Sequence, residues 1–209
     1  MKLLEQITLV DHGGFSSTPE YQQVMCDVKG AVAAVVNPPG SDRFTINPTR
    51  RDGKWHGNGV VPIKKGFTSY LSECGWELEV RSASKNGEAR PGAFDCHYTF
   101  QDSSVHPFAV EWETGNISSS HRAINRLAVG VQNSNTSGGL LVVPSGAMKS
   151  WITDRIGNAP ELRPYIPLWE EFDRLSDEPY YLGIVVVEHD DTDPLVPFIA
   201  KGTDGRSLR

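Results

Sequence analysis

The stretch Val110-Glu111-Trp112-Glu113-Thr114-Gly115-Asn116-Ile117-Ser118-Ser119-Ser120-His121-Arg122-Ala123-Ile124 passes from an alternating apolar run, through a polar turn, into a helical pattern. Side chains of a strand alternate between its two faces, so Glu111 and Glu113 stand side by side while Val110 and Trp112 take the opposite face. Past the turn, Ile124, Leu127, Ala128 and Val131 form an apolar stripe at helical spacing, which predicts a helix over Ser118 to Val131. A strand that feeds directly into an amphipathic helix is a building unit of sheets covered by helices.

The same alternation of element types continues outward. Trp76 to Arg81, Phe94 to Phe100 and Phe108 to Thr114 alternate as strands do. Gly139 to Pro144 and Leu182 to Val187 are continuous apolar runs, suited to strands buried on both faces. Helices are predicted from Ser17 through about Val36, where Ser17 and Glu20 have capping-box spacing, and from Lys64 to Cys74. Two more are predicted, over Ala147 to Ile156 with Ser145 as its N-cap and over Pro167 to Leu175. Residues 38–60 read as a long surface segment rich in Gly, Pro, Asn and Arg. The expected fold class is α/β: a central mixed β-sheet flanked by helices on both sides. A single domain over 1–209 is expected, with a polar C-terminal arm from about 194 to 209.

The bulk properties set limits. A chain of 209 residues with 38% hydrophobic residues can build a large core. It contains no run of about 18 apolar residues that would span a bilayer. Met1 to Val10 lacks the basic and apolar segments of a secretory signal. Cys26, Cys74 and Cys96 are odd in number and far apart, against a disulfide framework or a structural zinc, so a reducing cytoplasm is the expected compartment. Net charge is -6, so any polyanionic partner must be met by local positive charge, as in the Arg50, Arg51, Lys54 cluster, Lys64 with Lys65, and His121, Arg122 with Arg126.

The chemistry gathers on the acids. Asp95 lies on the strand before Glu111, and Glu79 on the strand before that. If the three strands are neighbours, Asp95, Glu111, Glu113 and Glu79 converge, and converging oxygens bind Mg²⁺. Such an ion can activate water and steady charge at a phosphodiester. An isolated Glu-x-Glu equally describes a solvated strand face, so the flanks decide. Asn suits adenine, Arg suits guanine, and Ser bonds a base edge or a phosphate. Asn116, Ser118 and Arg122 therefore form one candidate reading cluster, and Asp154 with Arg155 a second that suits a G·C pair.

At this point a resemblance enters. Glu111-Trp112-Glu113-Thr114-Gly115-Asn116-Ile117-Ser118-Ser119, with His121, Arg122 and Asn125, closely resembles the active-site segment of the BamHI-like type II restriction endonucleases. Further blocks follow in order: Phe44-Thr45-Ile46-Asn47, Asn58 to Lys64, Thr153-Asp154-Arg155, Leu162-Arg163-Pro164-Tyr165, and Pro197 to Gly205. The resemblance implies a restriction-endonuclease-like fold of the PD-(D/E)xK superfamily, Mg²⁺ as cofactor, and a bacterial cytoplasmic homodimer acting on double-stranded DNA. It implies Asp95 and Glu111 as main metal ligands, and Glu113 as base or second-metal group where most of the superfamily has lysine. Glu79 is the further acidic ligand, with Glu77 the alternative. Asn116, Ser118, Arg122, Asp154 and Arg155 match the family's major-groove readers, and Lys64 a phosphate contact. Asp204, Gly205 and Arg206 fall where the family's arm approaches the minor groove, although Arg206 replaces an apolar residue. All five reader positions keep the family's residue type, which implies the target GGATCC, cut between the guanines.

Two rival classes differ in what they require. A DNA-binding protein that has lost catalysis would keep the readers without the acids, yet the acids are present. A carbohydrate-active enzyme also uses paired carboxylates, but wants them about 5–9 Å apart across a sugar, wider than neighbours on one strand face.

Overall fold

The structure is a computed structural model that describes residues 1–49, 58–81, 92–101, 103–113, 115–152 and 156–200. Eight strands are found among them: β1 (Lys2–His12), β2 (Thr45–Ile46), β3 (Glu77–Arg81), β4 (Ala93–Tyr98), β5 (Phe108–Trp112), β6 (Gly138–Pro144), β7 (Tyr180–Glu188) and β8 (Asp191–Thr192). The α-helices are α1 (Pro19–Ala34), α2 (Val61–Glu73), α3 (Ile117–Gln132), α4 (Gly146–Ile152), α5 (Ala159–Leu162) and α6 (Ile166–Glu170). Six strands form one mixed sheet in the order β1-β7-β6-β5-β4-β3. Its middle, β7-β6-β5, is parallel, and each flank is antiparallel. β2 and β8 make a small parallel pair beside it.

The apolar runs expected as doubly buried strands are that. Leu140, Leu141, Val142 and Val143 are fully buried, as are Ile184, Val185 and Val187. Alternate residues divide between two cores. Leu140, Val142 and Val185 face α1 and α2 with Val28, Val32, Phe67 and Leu71. Leu141, Val143 and Ile184 face α3, α5 and α6 with Ile124, Leu127, Leu162 and Trp169. Helices thus cover both faces, as the α/β pattern predicts. α3 lies close on β6 because Gly139 has no side chain, and a Cβ there would come within 2.5 Å of Leu127 Cδ2.

Several local expectations change. Thr18, not Ser17, caps α1, because its hydroxyl accepts from the Tyr21 amide while Ser17 belongs to a preceding 3-10 turn. α1 ends at Ala34, two residues short of the expected Val36. Ser145 does cap α4, accepting from the Met148 amide at 3.0 Å; the helix is described over Gly146–Ile152, residues 153–155 lie outside the described residues, and Ile156, its expected end, is not helical. The expected Pro167 to Leu175 helix is only Ile166–Glu170, the last of three short helical turns that begin at Ala159, Arg163 and Ile166, each with a proline, Pro160, Pro164 or Pro167, as its second residue. A proline suits a first turn and cannot sit deeper in a helix, so three prolines make three starts.

Residues 38–60 are not wholly at the surface. Phe44, Ile46 and Asn58 are buried. The asparagines are tolerated there because they hydrogen-bond the backbone. Asn47 Nδ2 donates to the Pro194 and Val196 carbonyls, and Asn58 Nδ2 to the carbonyls of Asn47 and Trp151. Asn58 Oδ1 accepts from the Ile199 amide at 3.0 Å. The first part of the expected arm, through residue 200, is therefore clasped to the body.

Candidate active site

β5 ends at Trp112, but its ladder carries one step further, since the Glu113 amide donates to the Val142 carbonyl at 3.0 Å. Glu111 and Glu113 keep the strand's alternation and are both buried, each 4% exposed. Trp112, between them, goes the other way and packs on Phe67, with ring centroids 4.8 Å apart. The two acids are thus held at the end of a strand whose opposite face is anchored in a core.

β4 runs antiparallel to β5, with Cys96 opposite Val110. Just past that pair, Asp95 Oδ2 accepts from the Trp112 amide at 2.8 Å, which brings its carboxyl beside Glu111. β3 contributes Glu79, which lies between the pairs Leu78↔Cys96 and Val80↔Phe94 and so opposite Asp95. Glu79 has φ 54°, a left-handed backbone unusual for a non-glycine residue inside a strand. One cleft of about 410 Å³ is lined by Glu79, Asp95, Glu111 and Glu113, with Lys64 and Arg122 at its sides. Glu77 is not among the residues that line it.

The cleft's acids hold cations of the chain itself. Lys64 Nζ lies 2.6 Å from Asp95 Oδ1. Arg126 Nε lies 3.0 Å from Glu111 Oε1. The second contact is an ion pair by distance but not an aligned hydrogen bond: both atoms are buried, and neither has a hydrogen-bond partner among the described residues. Burial, followed by the charge of Asp95, pushes the Glu111 carboxyl up to about 8, although Arg126 and Lys64 pull it down. Burial likewise raises the neighbouring Cys96 thiol. Among the described residues, no group of three His, Cys, Asp or Glu side chains is arranged to hold a metal as it stands. The donor set nonetheless fits one. Glu111 Oε1 is a buried carboxyl oxygen that makes no hydrogen bond among the described residues, and further carboxyl groups line the cleft, a donor set that suits a hard oxygen-seeking dication.

The reading cluster starts where the acids end. Glu113 Oε1 accepts from the Gly115 amide, and Asn116 Oδ1 caps α3 by accepting from Ser119 N at 3.3 Å. Asn116, Ser118 and Arg122 are exposed on the first turns of α3. Asp154 and Arg155, and Asp204, Gly205 and Arg206, lie outside the described residues. The segment just after Arg155 is placed, however. The Gly157 amide donates to the Gly115 carbonyl at 3.0 Å. That approach requires glycine, because a Cβ on Gly157 would fall 2.1 Å from the Ser120 hydroxyl. Arg126, read from sequence only as part of a basic cluster with His121 and Arg122, also lines the cleft and approaches Glu111. Its spacing of four from Arg122, which puts both on one helix face, was the available signal.

Comparison with known proteins gives the chain's family. Residues 1–206 match the family described as restriction endonuclease BamHI. The chain belongs to this family of type II restriction endonucleases. It is 42% identical over 209 residues to the type II restriction enzyme OkrAI of Oceanobacter kriegii, covering all of both chains. It is 32% identical over 192 residues to the type II restriction enzyme BamHI of Bacillus amyloliquefaciens, covering 90% of this chain and 84% of that one. Its fold resembles that of the restriction endonuclease BglII complexed with a DNA 16-mer, with TM-score 0.61 and 11% identity over 91% of this chain and 80% of the other. The restriction-endonuclease fold thus persists at an identity where little of the sequence does.

Proposed function

We propose that this member of the BamHI family cleaves double-stranded DNA at GGATCC, between the two guanines, as a Mg²⁺-dependent homodimer in the bacterial cytoplasm. The observation that carries the reading is the junction of four carboxylates in one cleft with the exposed start of α3 at its rim. Asp95, Glu111 and Glu79 would hold the cation, which when bound supplies charge at the phosphodiester and lowers the pKa of water. Glu113 takes up a proton or completes the cation's surroundings. Its position is steadied by the Gly115 amide. Lys64 neutralises a backbone phosphate, and Asn116, Ser118, Arg122, Asp154 and Arg155 read base edges in the major groove. Asp204, Gly205 and Arg206 approach the minor groove. A palindromic target calls for two-fold symmetry, each subunit reading one half-site. No helix among the described residues is long and apolar enough to cross a membrane.

Digestion of a mapped plasmid in Mg²⁺ with sequencing of the ends tests this directly. The expected product has uniform ends that open GGATCC after its first guanine. Scattered ends would refute the specificity. An intact plasmid with retained sequence-specific binding would point instead to a DNA-binding protein of the same fold. Sedimentation at about twice the chain mass is expected, and a monomer both free and on DNA would refute the dimer.

A further inference from the structure

The Arg126 guanidinium occupies a place that the proposed reaction needs for other charges. Its side chain is 16% exposed and reaches from α3 to Ala93 of β4 and Glu111 of β5. One end is fixed, since Nη1 donates to the Ala93 carbonyl. Room for it comes from Gly92, where a Cβ would meet Nη1 at 3.2 Å. The other end is not fixed in the same sense. Nε stands 3.0 Å from Glu111 Oε1, yet neither atom makes an aligned hydrogen bond among the described residues. The contact is one of proximity, so a better cation can replace it without breaking a directed bond. Arginine stays charged at any working pH, so it cannot make way for a dication by losing a proton. It can do so only by moving or by meeting an anion. The cleft that holds it also opens to Arg122, one helical turn earlier on the same face. A DNA phosphate entering there is the anion to which the guanidinium can turn.

We propose that Arg126 is the resident cation beside Glu111, opposing divalent-cation binding in the free protein and leaving Glu111 when a DNA phosphodiester takes up its guanidinium. The proposal rests on the reading of the cleft as a metal and DNA site. It makes Arg126 a positioning residue that couples the two ligands: DNA raises cation affinity, and the cation raises DNA affinity by the same factor.

Calorimetric titration of Ca²⁺ into the whole chain, alone and with a duplex containing GGATCC, tests it without cleavage. Wild type is expected to bind Ca²⁺ weakly alone and at least about tenfold more tightly with DNA, as removal of one adjacent like charge implies. Arg126→Gln is expected to bind Ca²⁺ alone at least about tenfold more tightly than wild type, with a smaller gain from DNA. Arg126→Lys keeps the charge and should behave as wild type, which a purely structural role for the guanidinium would not produce. A Glu111→Gln chain should lose the Ca²⁺ response. If wild type binds Ca²⁺ equally well with and without DNA, the proposal is overturned even if no variant folds. It is also overturned if folded Arg126→Gln matches wild type while Glu111→Gln abolishes binding, and then the metal reading survives. No Ca²⁺ binding by wild type, even on DNA, overturns both.

Discussion

Glu111→Gln changes one atom in size terms and removes one buried acid, and its consequence can be worked from the site. In metal-free protein the Glu111 carboxyl keeps its proton up to about pH 8, chiefly because it is buried and secondarily because Asp95 is near. In the unfolded chain it loses that proton near the ordinary glutamate value. Between the two, the folded state holds one more proton than the unfolded state. Stability must therefore fall as pH rises, by up to about 1.4 kcal/mol per pH unit. The Gln variant has no proton to lose and lacks this slope. From about pH 6 to about pH 7.5, wild type should lose about 2 kcal/mol relative to the variant, or about 4–8 °C in melting temperature for a chain of this size. The assay is thermal unfolding of both proteins in chelator across that range. Above about pH 9 the difference should level off, because both states of wild type are then ionised. Saturating Mg²⁺ should reverse the order, since the cation binds the ionised carboxyl and stabilises only the wild type by mass action. A wild-type minus variant difference that stays flat with pH in chelator would show that Glu111 is ionised at neutral pH in the free protein. The burial argument would then be refuted.

Other perturbations reach the remaining parts of the site. Glu113→Ala should abolish cleavage while specific binding in Ca²⁺ persists in a gel-shift assay; normal cleavage would remove Glu113 from the chemistry. Asn116→Ala should cost about 1 kcal/mol of stability from the lost α3 cap, and in addition weaken discrimination against one-base variants of the target by about 1–3 kcal/mol. Loss of stability with unchanged discrimination would leave Asn116 as a cap alone. Gly157→Ala should destabilise by roughly 1–3 kcal/mol through its clash with Ser120, and Ser120→Ala in the same chain should recover most of it. Additive losses in the double variant would show that the strain lies elsewhere.

The parts of the fold legible in the sequence are those fixed by burial on a regular period. The runs at Leu140 to Val143 and Leu182 to Val187 had to be sheet interior, and the stripe of Ile124, Leu127, Ala128 and Val131 had to face it. The site acids were legible for a related reason: strand alternation dictates where Glu111 and Glu113 go once their strand is known. Elsewhere the determinants are not periodic. β1 shifts register at Leu3/Glu5 and again at Thr8/Val10, and at the second shift its alternation of burial breaks, with Leu9 and Val10 both buried. β2 and β8 are two residues each, held by the side-chain bonds of Asn47 and Asn58 to a segment far along the chain. The left-handed Glu79 and the approach of Arg126 to Glu111 are products of tertiary packing, with no local signature beyond the helical spacing of Arg122 and Arg126.

The hydrogen bond from Gly157 to Gly115 has a consequence for how such a protein can change. Gly115 lies between the acids and the capped start of α3, and Gly157 follows the second candidate reading pair by two residues. A revision of either recognition segment that bends its backbone must therefore pull on the hinge point next to the acids. Retargeting by exchange of side chains on a fixed frame leaves this joint alone. Retargeting by grafting a loop of different length does not, and would be expected to yield chains that still bind DNA but no longer cut it.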